Sequence, residues 1–485
     1  MIKFKKIAAL CMVAITGASV LAGCTAVKKT ASDTVELNWY FIGDTSLSDN
    51  DEVYARAGEL VYEKLGYKVN FKPIDYASYN DKIQMVIAGG ENYDICWTSN
   101  WKNDYATNVA NGAFVALDDL LQETPELRQN IADVIWDGTR IDGKIYGVPS
   151  QQIMARSACI RVPEVFYEKY GSTLKDVKSY ADMDAYMAAY AKDYPDTGSV
   201  QICWQNLCYA YGVDEVIGTC LPGAVSLNGD ADDIKVFNQF DTDEWRELIQ
   251  IRKEWTDKGY TLKGTDGDAG GDRKLLPEEI PFAVETYKPG IEQSVANSLG
   301  YPIKTIRISD AYLTSAGINS TLNAISSGSK HPVEALKLLE YVNTDPEIYN
   351  LLVYGIEGKH YIKLDDNTVR RVENTGFKND DWVIGSVYNG YLLEGQDPDT
   401  HQQTKDINDN AKTSKLLGFT PDVTPIKLQI ANCTSVTKEY FGRIDNGLGD
   451  VQALNNEMLL KLENAGVNDI ITELQRQIDE WLKTK

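Results

Sequence analysis

Val35-Glu36-Leu37-Asn38-Trp39-Tyr40-Phe41-Ile42 opens the pattern that decides the fold of this chain. Val35, Leu37, Trp39 and Phe41 fall on one face, the period-two alternation of a strand. Residues 49–65 follow, with Val53, Ala57, Leu60, Val61 and Leu65 on one helical stripe. Tyr67, Val69 and Phe71 then alternate with Lys68, Asn70 and Lys72 as a second strand. Residues 78–88 return to helical spacing through Tyr79, Ile83, Val86 and Ile87 and stop at Gly89-Gly90. Tyr93-Asp94-Ile95-Cys96-Trp97 is a third strand. Strand, helix, strand, helix, strand requires parallel strands joined by right-handed crossovers, so the fold class is α/β.

That architecture also says where a ligand sits: beyond the carboxyl ends of the strands. Those ends are Gly43-Asp44-Thr45-Ser46, Asp75-Tyr76 and Thr98-Ser99-Asn100-Trp101. They offer hydroxyls, a carboxylate, a carboxamide and an aromatic plane. Thr98, Asn100 and Trp101 are candidate ligand residues. Asp44 either joins them or caps the following helix.

Upstream, Lys3, Lys5 and Lys6 precede an apolar run from Ile7 to Leu21 and then Leu21-Ala22-Gly23-Cys24. Basic start, apolar stretch and small residues are the order of a secretory signal. The run is about fifteen residues, short of the roughly twenty that a spanning helix needs. Small residues directly before a cysteine match a bacterial lipobox. This resemblance implies a lipid on Cys24, cleavage of residues 1–23 and a polar tether over 24–34.

The chain has 485 residues, enough for two large globular domains, and 43% of them are hydrophobic. Its net charge of −23 repels phosphate backbones, which argues against nucleic-acid binding. Three histidines without ligand spacing argue against a metal centre, and no cofactor is expected. No phosphate-binding glycine loop or serine-nucleophile motif occurs. Beyond the leader lie Cys96, Cys159, Cys203, Cys208, Cys220 and Cys433, whose pairing the spacing does not choose. The 28 tyrosines and nine tryptophans suit a core, and also suit sites that stack on the apolar faces of sugar rings.

Ala113 to Leu121, followed by Asp142-Gly143-Lys144-Ile145-Tyr146-Gly147-Val148-Pro149, resembles the family 1 extracellular solute-binding proteins of ABC sugar importers. Tyr93-Asp94-Ile95 with Trp97 is similar to that family's third-strand motif. Ala316-Gly317-Ile318-Asn319, Ala335 to Val342 and Asp345-Pro346-Glu347 are similar to its return segment. The tail from Gly449 to Trp481 resembles a lipoprotein branch with an extra C-terminal domain of unknown function. The resemblance implies a two-lobed periplasmic-binding-protein-like (type II) fold with the ligand between the lobes. The expected first lobe is 35–155 with 304–344, and the second is 156–303 with 345–448. The helices of 449–485 are expected to cover the lobes' surface.

Pro281-Phe282-Ala283-Val284 reads as a short buried strand, and the resemblance assigns Glu285 and Tyr287 at its end to ligand contact or to packing. Tyr312 lies near the return crossing, and Trp382 is a candidate for stacking or for the core. The acidic run Asp266, Asp268, Asp272 lacks the glycine and terminal glutamate of an EF-hand and reads as a solvated loop. The polar stretch 395–414 reads as a mobile loop. The resemblance implies a monomeric, lipid-anchored receptor on the extracytoplasmic face that binds a carbohydrate without catalysis and delivers it to a permease. A surface glycan-active enzyme and a receptor feeding a sensor kinase are the alternatives.

Overall fold

The computed structural model describes residues 34–484 apart from residues 91, 196–199, 203, 219, 230–233 and 262–275. Cys24, its tether, Cys203 and the Asp266–Asp272 run lie outside the described residues.

Strand β1 (Glu36–Ile42) pairs in parallel with β2 (Lys68–Ile74) along its whole length, from Glu36 opposite Lys68 to Ile42 opposite Ile74. On its other side β1 pairs in parallel with β3 (Ile95–Thr98). The alternation buries Leu37, Trp39 and Phe41 completely. Helix α1 (Asn50–Leu65) makes the first crossover and α2 (Tyr79–Gly89) the second. Gly90 ends α2 at φ 63°, a left-handed turn that costs glycine nothing. Strand β4 (Gly147–Pro149) and the return strand β12 (Leu322–Ile325) complete the sheet in the order β2-β1-β3-β12-β4, with β12 antiparallel to both neighbours.

A second sheet has the order β10-β5-β9-β6, built from β5 (Ala158–Pro163), β6 (Gln201–Ile202), β9 (Ala283–Thr286) and β10 (Ile303–Arg307). Its core gathers Phe166, Tyr186, Tyr190, Trp255 and Phe282. Helices Lys427–Asp445, Val451–Ala465 and Val467–Leu482 belong to that same core through Cys433, Tyr440, Met458, Leu462, Ile470, Leu474 and Ile478. Each of these helices packs one apolar face into the second lobe and leaves its other face exposed.

Two boundaries also differ from expectation. Strand β10 pairs antiparallel with β5, so residues 303–307 stay in the second lobe and the chain returns after them. Helix Pro346–Tyr354 packs on α1, and Ile348, Leu352, Val383 and Ile384 enter the first core, so the first part of 345–448 lies with the first lobe. The stretch 395–414 contains helix Thr400–Asp409 instead of a continuous loop. Cys96, Cys159 and Cys433 are buried free thiols, and burial pushes Cys96 and Cys159 up to about 12 and Cys433 up to about 11.

The lobes are joined by crossings that hydrogen-bond to one another. Arg156 N–H donates to Tyr312 O at 2.7 Å, and Tyr312 N–H donates back at 2.8 Å. Strand β11 (Tyr312–Leu313) then pairs in parallel with β16 (Lys412–Thr413). Asn408 Oδ1 accepts from the backbone N–H of both Met154 and Ala155, each at 2.9 Å. A Cβ on Gly317 would sit 2.3 Å from Met154 O, so the return segment needs glycine where it passes the first crossing.

Candidate functional site: an aromatic edge facing the second lobe

The carboxyl ends of β1, β2 and β3 carry three loops to one edge. On it, Trp101 is 47% exposed and Tyr76 is 55% exposed, although both are large aromatics. Their rings lie 5.9 Å apart at an interplanar angle of 32°. Trp382 arrives from a distant part of the chain, 6.2 Å from Trp101. Beneath them the fully buried Trp97 meets Trp101 edge-on at 5.3 Å and Trp382 at 5.8 Å. Lys102 Nζ sits 4.3 Å above the Tyr76 ring and donates to Tyr76 O at 2.8 Å. The Trp101 indole N–H donates to Ser320 O at 2.8 Å, so its polar atom is satisfied while its face stays open. An exposed indole plane with a fixed orientation is what an apolar sugar face can stack on.

The other candidates fall into three groups. Asn100 is exposed on this edge, its amide donating to Ala316 O at 3.2 Å. Asp44 is exposed too, but its Oδ1 accepts from the Ser46 N–H at 2.9 Å and the Ser46 hydroxyl at 2.6 Å. It is not the cap of α1: Asp49 holds that position, held down to about 2 by hydrogen bonds from Lys359 and His360. Thr98 is fully buried, and its hydroxyl donates to Asn103 O, so it supports the loop from below.

The second lobe presents a different edge. Glu285 accepts from Arg161 Nε at 2.8 Å, and that arginine is 4% exposed on the neighbouring strand. Its carboxylate is therefore tied within the sheet. Tyr287 is half-buried, with the Arg307 guanidinium 5.6 Å from its ring centre. Tyr312 is 5% exposed in the hinge, its hydroxyl donating to Asn228 Oδ1 at 3.0 Å. The structure thus gathers Asn100, Trp101 and Trp382 on the aromatic edge and leaves Glu285 and Tyr312 engaged elsewhere.

Sequence reasoning did not select Tyr76, Lys102, Asp380 or Lys288 as site residues. Tyr76 stood at a strand end and could have been chosen on that ground. Lost solvent, and then the nearby Asp380 carboxylate, push the Tyr76 phenol above its ordinary value. Lost solvent and the neighbouring Asp381 push the Asp380 carboxyl up, while Lys378, Arg371 and the second lobe's Lys288 pull it back. Lys288 belongs to the loop after β9, whose Gly290 O accepts from Gln396 Nε2 at 3.2 Å. The loop after β9 in the second lobe therefore comes near enough to Asp380 for Lys288 to act on its charge. No signal in the sequence joins residues 288 and 380.

An apolar cavity lies elsewhere, inside the second lobe, lined by Trp204, Tyr211, Glu215, Trp245 and Phe441. At about 30 Å³ it has room for a water or two and none for a sugar. Among the described residues, no group of His, Cys, Asp or Glu could hold a metal ion, and no helix is long and apolar enough to cross a membrane.

Residues 60–354 match the family described as bacterial extracellular solute-binding protein, and residues 415–483 match a domain of unknown function, DUF3502. A carbohydrate ABC transporter substrate-binding protein of Streptococcus pneumoniae is 28% identical, with 96% of each chain covered. A polygalacturonan/rhamnogalacturonan-binding protein, YtcQ, of Bacillus subtilis is 21% identical over 73% of this chain and 74% of its own. The crystal structure of the N-glycan transport solute-binding protein NgtS from Streptococcus pneumoniae superposes with a TM-score of 0.82 at 25% identity, covering 93% of this chain and 99% of that one. NgtS in complex with Man5GlcNAc superposes at 0.75 and 24% identity, covering the same 93% and 99%.

Proposed function

Because the chain belongs to the bacterial extracellular solute-binding proteins, an extracytoplasmic family, we propose that it is the lipid-anchored substrate-binding protein of an ABC importer for an oligosaccharide. The observation that carries this reading is the edge formed by Tyr76, Trp101 and Trp382, with the Trp101 plane half-exposed while its indole N–H is engaged by Ser320 O. Sugar faces stack on the indoles, and hydroxyls pair with Asn100, Lys102 and Asp380. Residues of the second lobe, Lys288 and Tyr287 among them, close on the far side. The hinge ribbon of Arg156, β11 and β16 bends, and a ligand touching both lobes shifts the population toward the closed form.

Several features support an oligosaccharide over a single sugar. The aromatic edge spans three rings, and the similar proteins include an N-glycan transport solute-binding protein and a polygalacturonan/rhamnogalacturonan-binding protein. The reading is binding without catalysis, with the ligand handed unchanged to permease subunits. The receptor acts as a monomer. A lipid on Cys24 and the tether after it keep the receptor near its permease and raise its local concentration there.

Calorimetry of the purified chain against mannose, N-acetylglucosamine, Man5GlcNAc, an oligogalacturonide and a peptide tests the reading. We expect heat with an oligosaccharide, weaker response to single sugars, and the glycan recovered intact. Silence across all the sugars, or release of product from the glycan, overturns it. Replacing Cys24 with alanine should release the protein from cell membranes without changing glycan affinity.

A further inference from the structure

We propose that Thr321 and Asn323 are positioning residues for the glycan platform, holding Trp382 in stacking register through two relays that start at buried indoles; this rests on the oligosaccharide reading above. In the first relay the Trp97 indole N–H donates to Thr321 Oγ1 at 2.7 Å, and the Thr321 hydroxyl donates to the carbonyl of Trp382 at 3.0 Å. In the second the Trp39 indole N–H donates to Asn323 Oδ1 at 3.0 Å, and Asn323 Nδ2 donates to the carbonyl of Val383 at 3.2 Å. Thr321 and Asn323 are each 2% exposed.

The direction of each relay is fixed by chemistry. An indole N–H only donates, so Thr321 must accept from Trp97, and its single proton is then free for Trp382 O. Asn323 accepts with its oxygen and donates with its nitrogen in the same way. The segment they reach is a turn between regular elements, with no sheet ladder to hold its carbonyls. Three consecutive carbonyls there are held by buried side chains instead: Asp381 O by the Tyr349 hydroxyl at 2.8 Å, then Trp382 O and Val383 O by the two relays. Ser320, one residue before Thr321, holds the Trp101 indole through its carbonyl. Residues 320–323 therefore hold the Trp101 indole and the Trp382 backbone from one stretch that leads into β12, the strand that antiparallel pairing locks against β3 and β4. Neither Thr321 nor Asn323 reaches the cleft; each acts through Trp382.

The test is a double-mutant cycle on Thr321→Val and Trp382→Ala, read by calorimetry with Man5GlcNAc and by ligand-induced tryptophan fluorescence, after circular dichroism shows each protein folded. Valine keeps the shape of threonine and removes both hydrogen bonds. T321V should weaken binding about tenfold and reduce the fluorescence change. The double variant should bind no worse than W382A alone, because Thr321 has nothing to position once the indole is gone. T321S, which keeps the hydroxyl, should restore wild-type affinity. Wild-type affinity in T321V, or losses that multiply in the double variant, overturns the proposal while leaving the oligosaccharide reading intact. A wild-type protein silent to every sugar overturns that reading and this proposal with it. Should T321V not fold, the same cycle runs on Asn323→Leu; failure of both to fold assigns the two residues to the core alone and overturns the proposal.

Discussion

The carboxyl-end edge of the first lobe and the region around β9 in the second are built on opposite plans. The first lobe brings aromatic rings to its edge, with the Trp101 indole N–H and the Trp382 backbone carbonyl both tied into the protein. Three acids of the second lobe are engaged inward instead. Glu285 is bound to a buried arginine, Asp214 accepts from Ser414 at the third crossing, and Glu215 sits in the apolar cavity. The contrast implies a division of labour: the first lobe supplies the affinity, and the second supplies stability and closure. Each lobe can be tested against that division.

The largest expected effect lies in the second lobe. Strand β7 (Val213–Glu215) carries two adjacent acids that desolvation pushes up, Asp214 to about 6 and Glu215 to about 7. A carboxyl raised in the folded state binds its proton more tightly there than in the unfolded chain. The folded protein therefore has its full stability below the unfolded value near 4.5 and loses stability as pH rises through about 7. For Glu215 the loss at pH 8 is roughly 3 kcal/mol. Glu215→Gln should be more stable than wild type at pH 8 in urea titrations, with the gap narrowing toward pH 5. An unchanged slope of stability with pH would mean that the cavity is wetter than its lining of Trp204, Trp245 and Phe441 implies.

Next comes the first lobe. Trp101→Ala removes a half-exposed plane and should cost about 2 kcal/mol of glycan binding, roughly thirtyfold, with little change in melting temperature. The same change at Tyr287 should cost less than about threefold in affinity, since Arg307 already covers that ring. Titration of both variants with Man5GlcNAc checks the pair. Equal losses would erase the contrast between the edges and put Tyr287 in the stack.

How much of this could be read beforehand follows from the range of the forces involved. Local alternation around Trp39 and Phe41 gave the first sheet and the edge at its carboxyl ends, because strand and helix periods are written in neighbouring residues. Trp101 was legible for the same reason: it stands just past a strand end. Thr98 was misplaced because a residue at the last strand position can point either way, and here its hydroxyl closes on Asn103. The position of helix Pro346–Tyr354 and the burial of the C-terminal helices depend on which apolar face meets which, over hundreds of residues. An amphipathic stripe on Leu474 and Ile478 announces burial without naming the partner. The meeting of Trp382 with Trp97 and Trp101 is of the same kind, a contact between segments almost three hundred residues apart that no local period encodes.

The remaining effect is the one that most directly separates the two edges. Glu285 stands at a position that family resemblance assigns to ligand contact or to packing, and its carboxylate oxygen accepts from Arg161 Nε. In Glu285→Gln the amide oxygen can still accept that hydrogen bond, so only the charge is lost. Arg161 is 4% exposed and Glu285 keeps 31% of its side-chain exposure, so solvent screens part of the pair. The expected cost is about 1 kcal/mol of folding stability. A modest fall in melting temperature with unchanged Man5GlcNAc affinity is the outcome the tied carboxylate requires. If affinity fell while the melting temperature held, the carboxylate would have to leave Arg161 when the cleft closes. The second edge would then bind as well as close, and the division between the lobes would dissolve at that residue.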